Sequence, residues 1–287
     1  IMNELDINNP QLPDFIVPGA DEKKQDEPAK IKVIGVGGGG GNAVNHMYHQ
    51  GIGGVSFVLC NTDAQALRNS PVPVKVQLGA KGEGAGNIPE VAKKLAEESA
   101  AEVEALFDDN TRMAFITAGM GGGTGTGAAP VVARIAKEKG VLTVGIVTIP
   151  FLFEGEPKIL QAFAGVEEMR KHVDALLVIN NERLCKIYPD LSWTTAFAKA
   201  DDSLSNAARS IAELVSKDGK INLDFADVRT TLKDGGAAVI STGSGEGEHR
   251  MSRAIQNALT SPLLKESDIY GAERVLFNLY FSPEEGE

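Results

Sequence analysis

The stretch Gly121-Gly122-Gly123-Thr124-Gly125-Thr126-Gly127 lies between the apolar run Met113–Ala118 and the helical pattern Ala128–Lys139. That order of strand, glycine loop and helix decides the reading of the chain. Glycines admit positive φ and let backbone N–H groups close on an anion with no Cβ in the way, while the following helix adds the positive end of its dipole. Thr124 and Thr126 can donate hydroxyl hydrogen bonds. The stretch reads as a phosphate cradle, the alternative being a merely flexible turn.

A second run, Gly37-Gly38-Gly39-Gly40-Gly41, weakens that alternative. It follows the strand pattern Ile31–Val36 and opens a helix at Asn42-Ala43-Val44-Asn45. Ligands of open parallel sheets bind outside the carboxyl ends of the strands, so loops after two strands can converge on one elongated polyphosphate. Neither run carries Gly-Lys-Ser/Thr, which excludes a P-loop. Phosphate charge must then be met by N–H groups and Mg²⁺.

Outward from the two runs the alternation continues. Val55–Cys60 is a strand pattern ending in Asn61-Thr62-Asp63, and Gly84-Ala85-Gly86-Asn87 is a small loop. Pro89 then stands in the first turn of a helix expected over Glu90–Phe107, with apolar contacts at Val91, Leu95, Val103 and Leu106. The helix Ala128–Lys139, with Pro130 in its first turn, stops at Gly140. Strand Val141–Thr148, a mostly helical stretch from Glu154 to Lys171, and strand Val173–Ile179 follow. A long helix over Thr195–Lys217 buries Leu204, Ala207, Ala208, Ile211, Leu214 and Val215 on one face.

These lengths predict an α/β fold, a parallel-sheet nucleotide-binding domain covered on both faces, then a long central helix and a partial α+β second domain. The expected division is a disordered, proline-containing arm over 1–30, the nucleotide-binding domain over 31–194, the central helix over 195–217 and the second unit over 218–287. Strand Ala237–Thr242, helix Glu248–Leu259 and strand Val275–Phe281 belong to that unit, with only about two strands in hand, too few for an independent sheet.

Composition narrows the function. The 287 residues carry a net charge of −11 and show no Lys/Arg cluster interleaved with aromatics, so nucleic acid is not an expected partner. Cys60 and Cys185 lack metal-ligand spacing and read as free thiols of a reducing compartment. No apolar run of about 18 residues occurs and no basic-then-apolar leader opens the chain, so a soluble, cytoplasmic protein without direct membrane insertion is expected. His46, His49, His172 and His249 are scattered and receive no role.

From about Ile31 onward the chain resembles the tubulin/FtsZ GTPase family, on Gly37–Gly41 with Asn42, Asn61-Thr62-Asp63, Gly84-Ala85-Gly86, Gly121–Gly127 and Asn222-Leu223-Asp224-Phe225-Ala226-Asp227. The central glycine stretch is that family's signature. The resemblance implies GTP/GDP binding with Mg²⁺, hydrolysis of GTP, and head-to-tail homopolymers of the cell-division ring at mid-cell. It also implies other division proteins and membrane adaptors as partners, engaged through a C-terminal tail.

Carried over residue by residue, the resemblance sets Gly37–Gly41, Gly84, Ala85, Gly86 and Gly121–Gly127 at the phosphates, with Asn42 near the guanine and Asn61 also in the nucleotide site. Glu154 matches a ribose-contacting glutamate and Asn181 a ribose- or base-contacting asparagine. Phe197 would stack on the guanine, and Asp201 would accept from its N1 and N2 groups. Two departures stand out. Lys158 occupies the place of a usual arginine, a point charge instead of a bidentate fork. Glu83 stands where an apolar residue is common; pointing inward it would repel a γ-phosphate, so it should face solvent.

The best candidates to orient an attacking water are Asp224 and Asp227, with Asn222. No protein ligand set for a metal is expected. If Phe197 and Asp201 touch the base, Asp224 lies beyond the far end of the central helix, about 16 residues or ~24 Å away at ~1.5 Å per residue. Such carboxylates can act only on the nucleotide of a neighbouring subunit, through a contact between two different surfaces that propagates as a filament. Two other functions remain open. A tubulin-like structural protein could bind the nucleotide without turnover. Gly35–Gly40 also satisfies the G-x-G-x-x-G pattern of an NAD-dependent oxidoreductase, with Asp63 near the place of a ribose-binding acid, although that leaves Gly121–Gly127 unexplained.

Overall fold

The structure is a computed structural model that describes residues 31–108, 110–187, 193–216, 225–260, 271–277 and 279. Asn222, Asp224 and the arm over 1–30 lie outside the described residues. The strands β1 (Ile31–Val36), β2 (Val55–Asn61), β3 (Val74–Gln77), β4 (Met113–Gly119), β5 (Leu142–Ile149), β6 (Ala175–Asn180) and β7 (Gly236–Ala238) form one sheet in the order β3-β2-β1-β4-β5-β6-β7. Every pairing is parallel.

The helices are α1 (Gly37–His49), α2 (Ala64–Arg68), α3 (Pro89–Glu98), α4 (Ala100–Glu104), α5 (Gly123–Glu138), α6 (Glu156–Arg170), α7 (Asn181–Ile187), α8 (Trp193–Ser216), α9 (Phe225–Leu232) and α10 (Arg250–Leu259). Period-2 alternation divides the strand side chains between two cores. Ile31, Val33, Met113, Phe115, Leu142 and Val144 face a cluster with Ala43 and Val44 of α1, Leu204 and Ala208 of α8 and Val228 of α9. Ile34, Val36, Ala114, Ile116 and Val147 face the opposite cluster with Ala92, Ala96, Val103, Ala128, Val132 and Met169.

The fold agrees with the expected α/β architecture, and its differences have physical causes. The glycine runs are not loops ahead of helices: α1 starts at Gly37 and α5 at Gly123, so most of each run is helix. Pro130 accordingly lies inside α5, not in its first turn. The helix expected over Glu90–Phe107 breaks at Ser99, whose Oγ accepts a hydrogen bond from Gly79 N at 2.9 Å. Its buried face is Ala92, Ala96 and Val103, while Val91 stays exposed.

Three helices and one strand went unread in the sequence, α2, α7, α9 and β3; Asp227 accordingly sits in the first turn of a helix. The strand expected over Ala237–Thr242 is the short β7, which joins the edge of the same parallel sheet beside β6. The described residues of Val275–Phe281 form no strand, since no neighbour among the described residues completes a ladder there. Gly140, at φ +75°, ends α5 as anticipated.

Candidate functional site

The sheet order reverses between β1 and β4, and the two glycine runs follow these two strands. That is the switch point at whose carboxyl end open α/β sheets bind ligands. The N-termini of α1 and α5 touch there: a Cβ on Gly37 would stand 2.8 Å from Gly125 N and 3.2 Å from Thr124 Cβ. Two helix N-termini therefore present their free N–H groups side by side, and their dipoles add. Gly38 and Gly39 are exposed on this surface.

The glycines do two different jobs. Of the two runs only Gly37 and Gly121 take positive φ, at +74° and +95°. Gly40, Gly125 and Gly127 are required by close approach: a Cβ on each would be driven into the carbonyl of Thr117, Gly119 and Pro89 respectively. Among the described residues nothing lies within 4 Å of such a Cβ on Gly38, Gly84 or Gly86.

The loops after β2 and β3 are tied together beside it. Ala64 N donates to Gly82 O at 3.1 Å and Gly84 N to Thr62 O at 3.0 Å, while Asp63 and Glu83 form an antiparallel bridge. Asn61 is buried, its Oδ1 accepting from Asp63 N at 3.2 Å. Thr62 Oγ1 and Thr124 Oγ1 share a 2.7 Å hydrogen bond, and Thr126 Oγ1 accepts from Gly121 N at 2.9 Å. Gln161 Nε2 donates to the carbonyls of Gly121 and Gly122, both at 3.1 Å. Ala85 is buried under this loop and Asn42 is exposed.

After β5, Glu154 accepts from Phe151 N at 3.0 Å and pairs with Lys158 Nζ at 3.2 Å. Both are brought to the carboxyl end of the sheet, but as partners of one another. After β6, Asn181 opens α7 with its Oδ1 buried and, among the described residues, without a hydrogen-bond partner. An unmade bond of this kind costs about 1–3 kcal/mol, so it marks a place where a ligand donor fits.

One turn on from Asn181, Leu184 packs with Phe151 and with Ala196 and Ala200 of α8. That contact sets Phe197 and Asp201 near Asn181. Phe197 is half exposed and meets Phe151 edge to face, with ring centroids 5.3 Å apart. Helix α8 also lies along α1, where Ser205 Oγ donates to Ala43 O at 3.2 Å and Asp202 pairs with His46 at 3.1 Å. The structure thus gathers Asn42, Asn181, Phe197 and Asp201 at one side of the cradle.

Burial, with Asp202 adding repulsion, pushes the Asp201 carboxyl up from 3.8 to about 6. Cys60 is inert at the base of the site, its thiol pushed by burial up to about 12. A raised carboxyl stabilises the unliganded fold most at acid pH, and this contribution is lost as pH rises through about 6. The variant Asp201→Asn is therefore expected to lose less thermal stability between pH 5 and pH 7.5 than the unaltered protein. Parallel melting curves over that range check it, and equal pH dependence would count against a perturbed Asp201.

Asp227 is elsewhere. It stands in the first turn of α9, whose Phe225 ring lies 5.7 Å from the Arg112 guanidinium. Arg112 immediately precedes β4, whereas Gly119 ends β4 beside the cradle. The seven residues of β4 span ~23 Å at ~3.3 Å per residue, so Asp227 and the cradle occupy opposite ends of the sheet. Thr62, quoted only within Asn61-Thr62-Asp63, had no role assigned from sequence, and Phe151 and Gln161 were not named at all. Thr62 adjoins Asn61, and Gln161 lies about one helical turn beyond Lys158, so proximity to named residues was the signal available.

Comparison with known proteins agrees with this geometry. The profile of the Tubulin/FtsZ family, GTPase domain, matches residues 30–189, and that of the FtsZ family, C-terminal domain, matches residues 236–284. The chain is 65% identical over 262 residues to the cell division protein FtsZ of Porphyromonas gingivalis, covering 90% of this chain and 57% of that one. The FtsZ of Aquifex aeolicus is 48% identical over 259 residues, covering 89% and 70%. The chain spans between 43% and 70% of the length of five such relatives.

Among solved structures, an empty FtsZ dimer of M. jannaschii superposes with a TM-score of 0.78 at 44% identity, covering 83% of this chain and 70% of that one. A GTPγS-bound protofilament of CetZ2 from Haloferax volcanii gives 0.66 at 25% identity, covering 76% and 67%. With the glycine-lined switch point, the match of the GTPase-domain profile over residues 30–189 leads to one conclusion: the chain belongs to the tubulin/FtsZ family.

Proposed function

We propose that this chain binds GTP at the carboxyl end of its sheet and hydrolyses it only when assembled head to tail, as a cytoplasmic filament-forming protein of the mid-cell division ring. The observation that carries the proposal is the separation of the two half-sites. The cradle of Gly37–Gly41 and Gly121–Gly127 stands at one end of the strands, and the helix bearing Asp227 at the other. A second copy stacked along the strand direction brings its Asp227, together with Asn222 and Asp224 just before it in sequence, over the phosphates of the first.

The phosphates lie against the paired N-termini of α1 and α5 and the Gly84–Gly86 loop. The guanine lies between Phe197 and Asn42, with Asp201 accepting from N1 and N2, and Asn181 Oδ1 gains the donor it lacks. Glu154 closes the ribose side, and Lys158, paired with it, stands in the place of a phosphate-contacting arginine. Among the described residues no group of three His, Cys, Asp or Glu side chains is placed to hold a metal ion. Mg²⁺ would be held chiefly by the phosphates themselves and would supply charge neutralisation there. The unit over 31–194, the helix over 195–217 and the unit over 218–287 form part of this proposal, supported by separate profile matches over 30–189 and 236–284. Division proteins and membrane adaptors are its further partners; among the described residues no helix is long and apolar enough to cross a membrane.

Nucleotide selectivity tests the binding half. GTP should bind, ATP should compete poorly, and Asp201→Ala should abolish the preference, because two donors of guanine then lose a charged acceptor worth about 1.5–3 kcal/mol. Affinity for GTP should also fall as pH drops below about 6, where Asp201 takes up its proton. Equal affinity for ATP and GTP in the unaltered protein would contradict the assignment of the base pocket.

A further inference from the structure

The end of the sheet opposite the cradle holds a cavity of about 380 Å³ lined by Arg112, Phe225, Ala226 and Arg229. Arg112 is held over the Phe225 ring, and both arginines are exposed. Among the described residues neither guanidinium has an ion pair, although the chain as a whole carries a charge of −11. Two unneutralised cations beside one cavity make a receptor for a carboxylate, and guanidinium is the cation best shaped for one.

The cradle end offers several acids, most of them already engaged. Asp63 Oδ1 accepts from Gln65 N at 2.8 Å and Ala66 N at 3.2 Å, Glu182 accepts from Leu152 N at 3.0 Å, and Glu154 holds Lys158. Glu83 is exposed, and its carboxylate has no hydrogen bond or ion pair among the described residues. It adjoins Gly84, in the loop next to the phosphate cradle.

We propose that Glu83 of one copy pairs with Arg229 of the next copy across the head-to-tail contact, with Arg112 adding to the positive field that receives it. The inference rests on the head-to-tail reading given above. Two residues apart on a helix, Asp227 and Arg229 have Cα atoms roughly 5–6 Å from one another and point to different sides. When Asp227 is brought to the phosphates beside Gly84, Arg229 comes within side-chain reach of Glu83. An acid that would repel a phosphate within its own chain becomes useful at the rim of an interface, where complementary charge fixes register and speeds encounter.

The threshold concentration for assembly with GTP and Mg²⁺, read by sedimentation, tests this. Arg229→Glu and Glu83→Lys should each raise the threshold at least about fivefold, since like charges then oppose one another across the contact. The double variant Glu83→Lys with Arg229→Glu should return most of the way. GTP affinity of Arg229→Glu below the threshold should match the unaltered protein, which separates a lost contact from a lost fold. Unchanged thresholds for both single variants in a protein that assembles, or a double variant no better than the worse single one, would overturn this pairing and leave the head-to-tail reading standing. Failure of the unaltered protein to assemble would overturn both.

Discussion

Asp227→Asn should keep its GTP affinity and lose at least about a hundredfold of its GTP turnover above the assembly threshold, the scale expected when a group that handles the proton of an attacking water is removed. The substitution is nearly isosteric, and Asp227 is exposed in the first turn of α9, so neither core packing nor the fold should suffer. The cradle lies at the other end of the strands and should bind nucleotide as before. Phosphate release by the variant, measured alongside equilibrium binding of labelled GTP, distinguishes the two effects. An equal loss of affinity and turnover would mean that Asp227 supports its own chain's site. Retained turnover would remove it from the chemistry.

The second large effect is Gly127→Ala. A Cβ there would stand 2.7 Å from Pro89 C and 2.9 Å from Pro89 Cα, with the Pro89 carbonyl oxygen closer still. All three are backbone atoms, so no side-chain rotation relieves the clash, and α5 must move away from the start of α3. Overpacking costs about 1–3 kcal/mol where side chains can adjust, and the upper end or more is expected here. The gain of at most about 1 kcal/mol from replacing glycine inside a helix does not offset it. Thermal or urea unfolding should show the loss.

Gly38→Ala is the matching control, since nothing among the described residues lies within 4 Å of its added Cβ. It should hold its melting temperature while GTP affinity falls, because the methyl group occupies the surface on which phosphates rest. A fully stable Gly127→Ala variant would show that the close approach of α5 to Pro89 is not needed. An unaltered affinity in Gly38→Ala would move the phosphates off α1.

The two variants also separate what was legible in the sequence from what was not. Glycine runs after apolar strands pointed to the sheet and its carboxyl end, and they motivate the ligand class proposed above. They did not give the helix starts, because glycine is a poor helix former and the approach of α1 to Thr117 and of α5 to Gly119 is a long-range packing fact. Local signals were present for α7, whose Glu182 N is capped by Asn180 Oδ1 at 3.0 Å. A helix of only seven residues, though, offers little periodicity to read.

The break at Ser99 depends on Gly79, 20 residues earlier, and was invisible locally. For the site, Asn181, Phe197 and Asp201 were named through resemblance and not through pattern. Only the folded arrangement reveals why they can work together: an orphaned carbonyl oxygen, a half-exposed ring and a destabilised carboxylate sit on adjoining helices. The length of the central helix set Asp224 beyond its far end; Asp224 lies outside the described residues, and Asp227, three residues on, stands at the far end of the sheet. The ~23 Å length of β4 supports the same separation by an independent route.

The most direct test of catalysis between subunits is the GTP hydrolysis rate per subunit as a function of protein concentration, with Mg²⁺ present. A site built from the cradle of one copy and the Asp227 of the next predicts a negligible rate at low concentration and a rise above a threshold that coincides with assembly. A rate per subunit that stays constant from nanomolar to micromolar protein would contradict it, since that requires a complete active site within one chain.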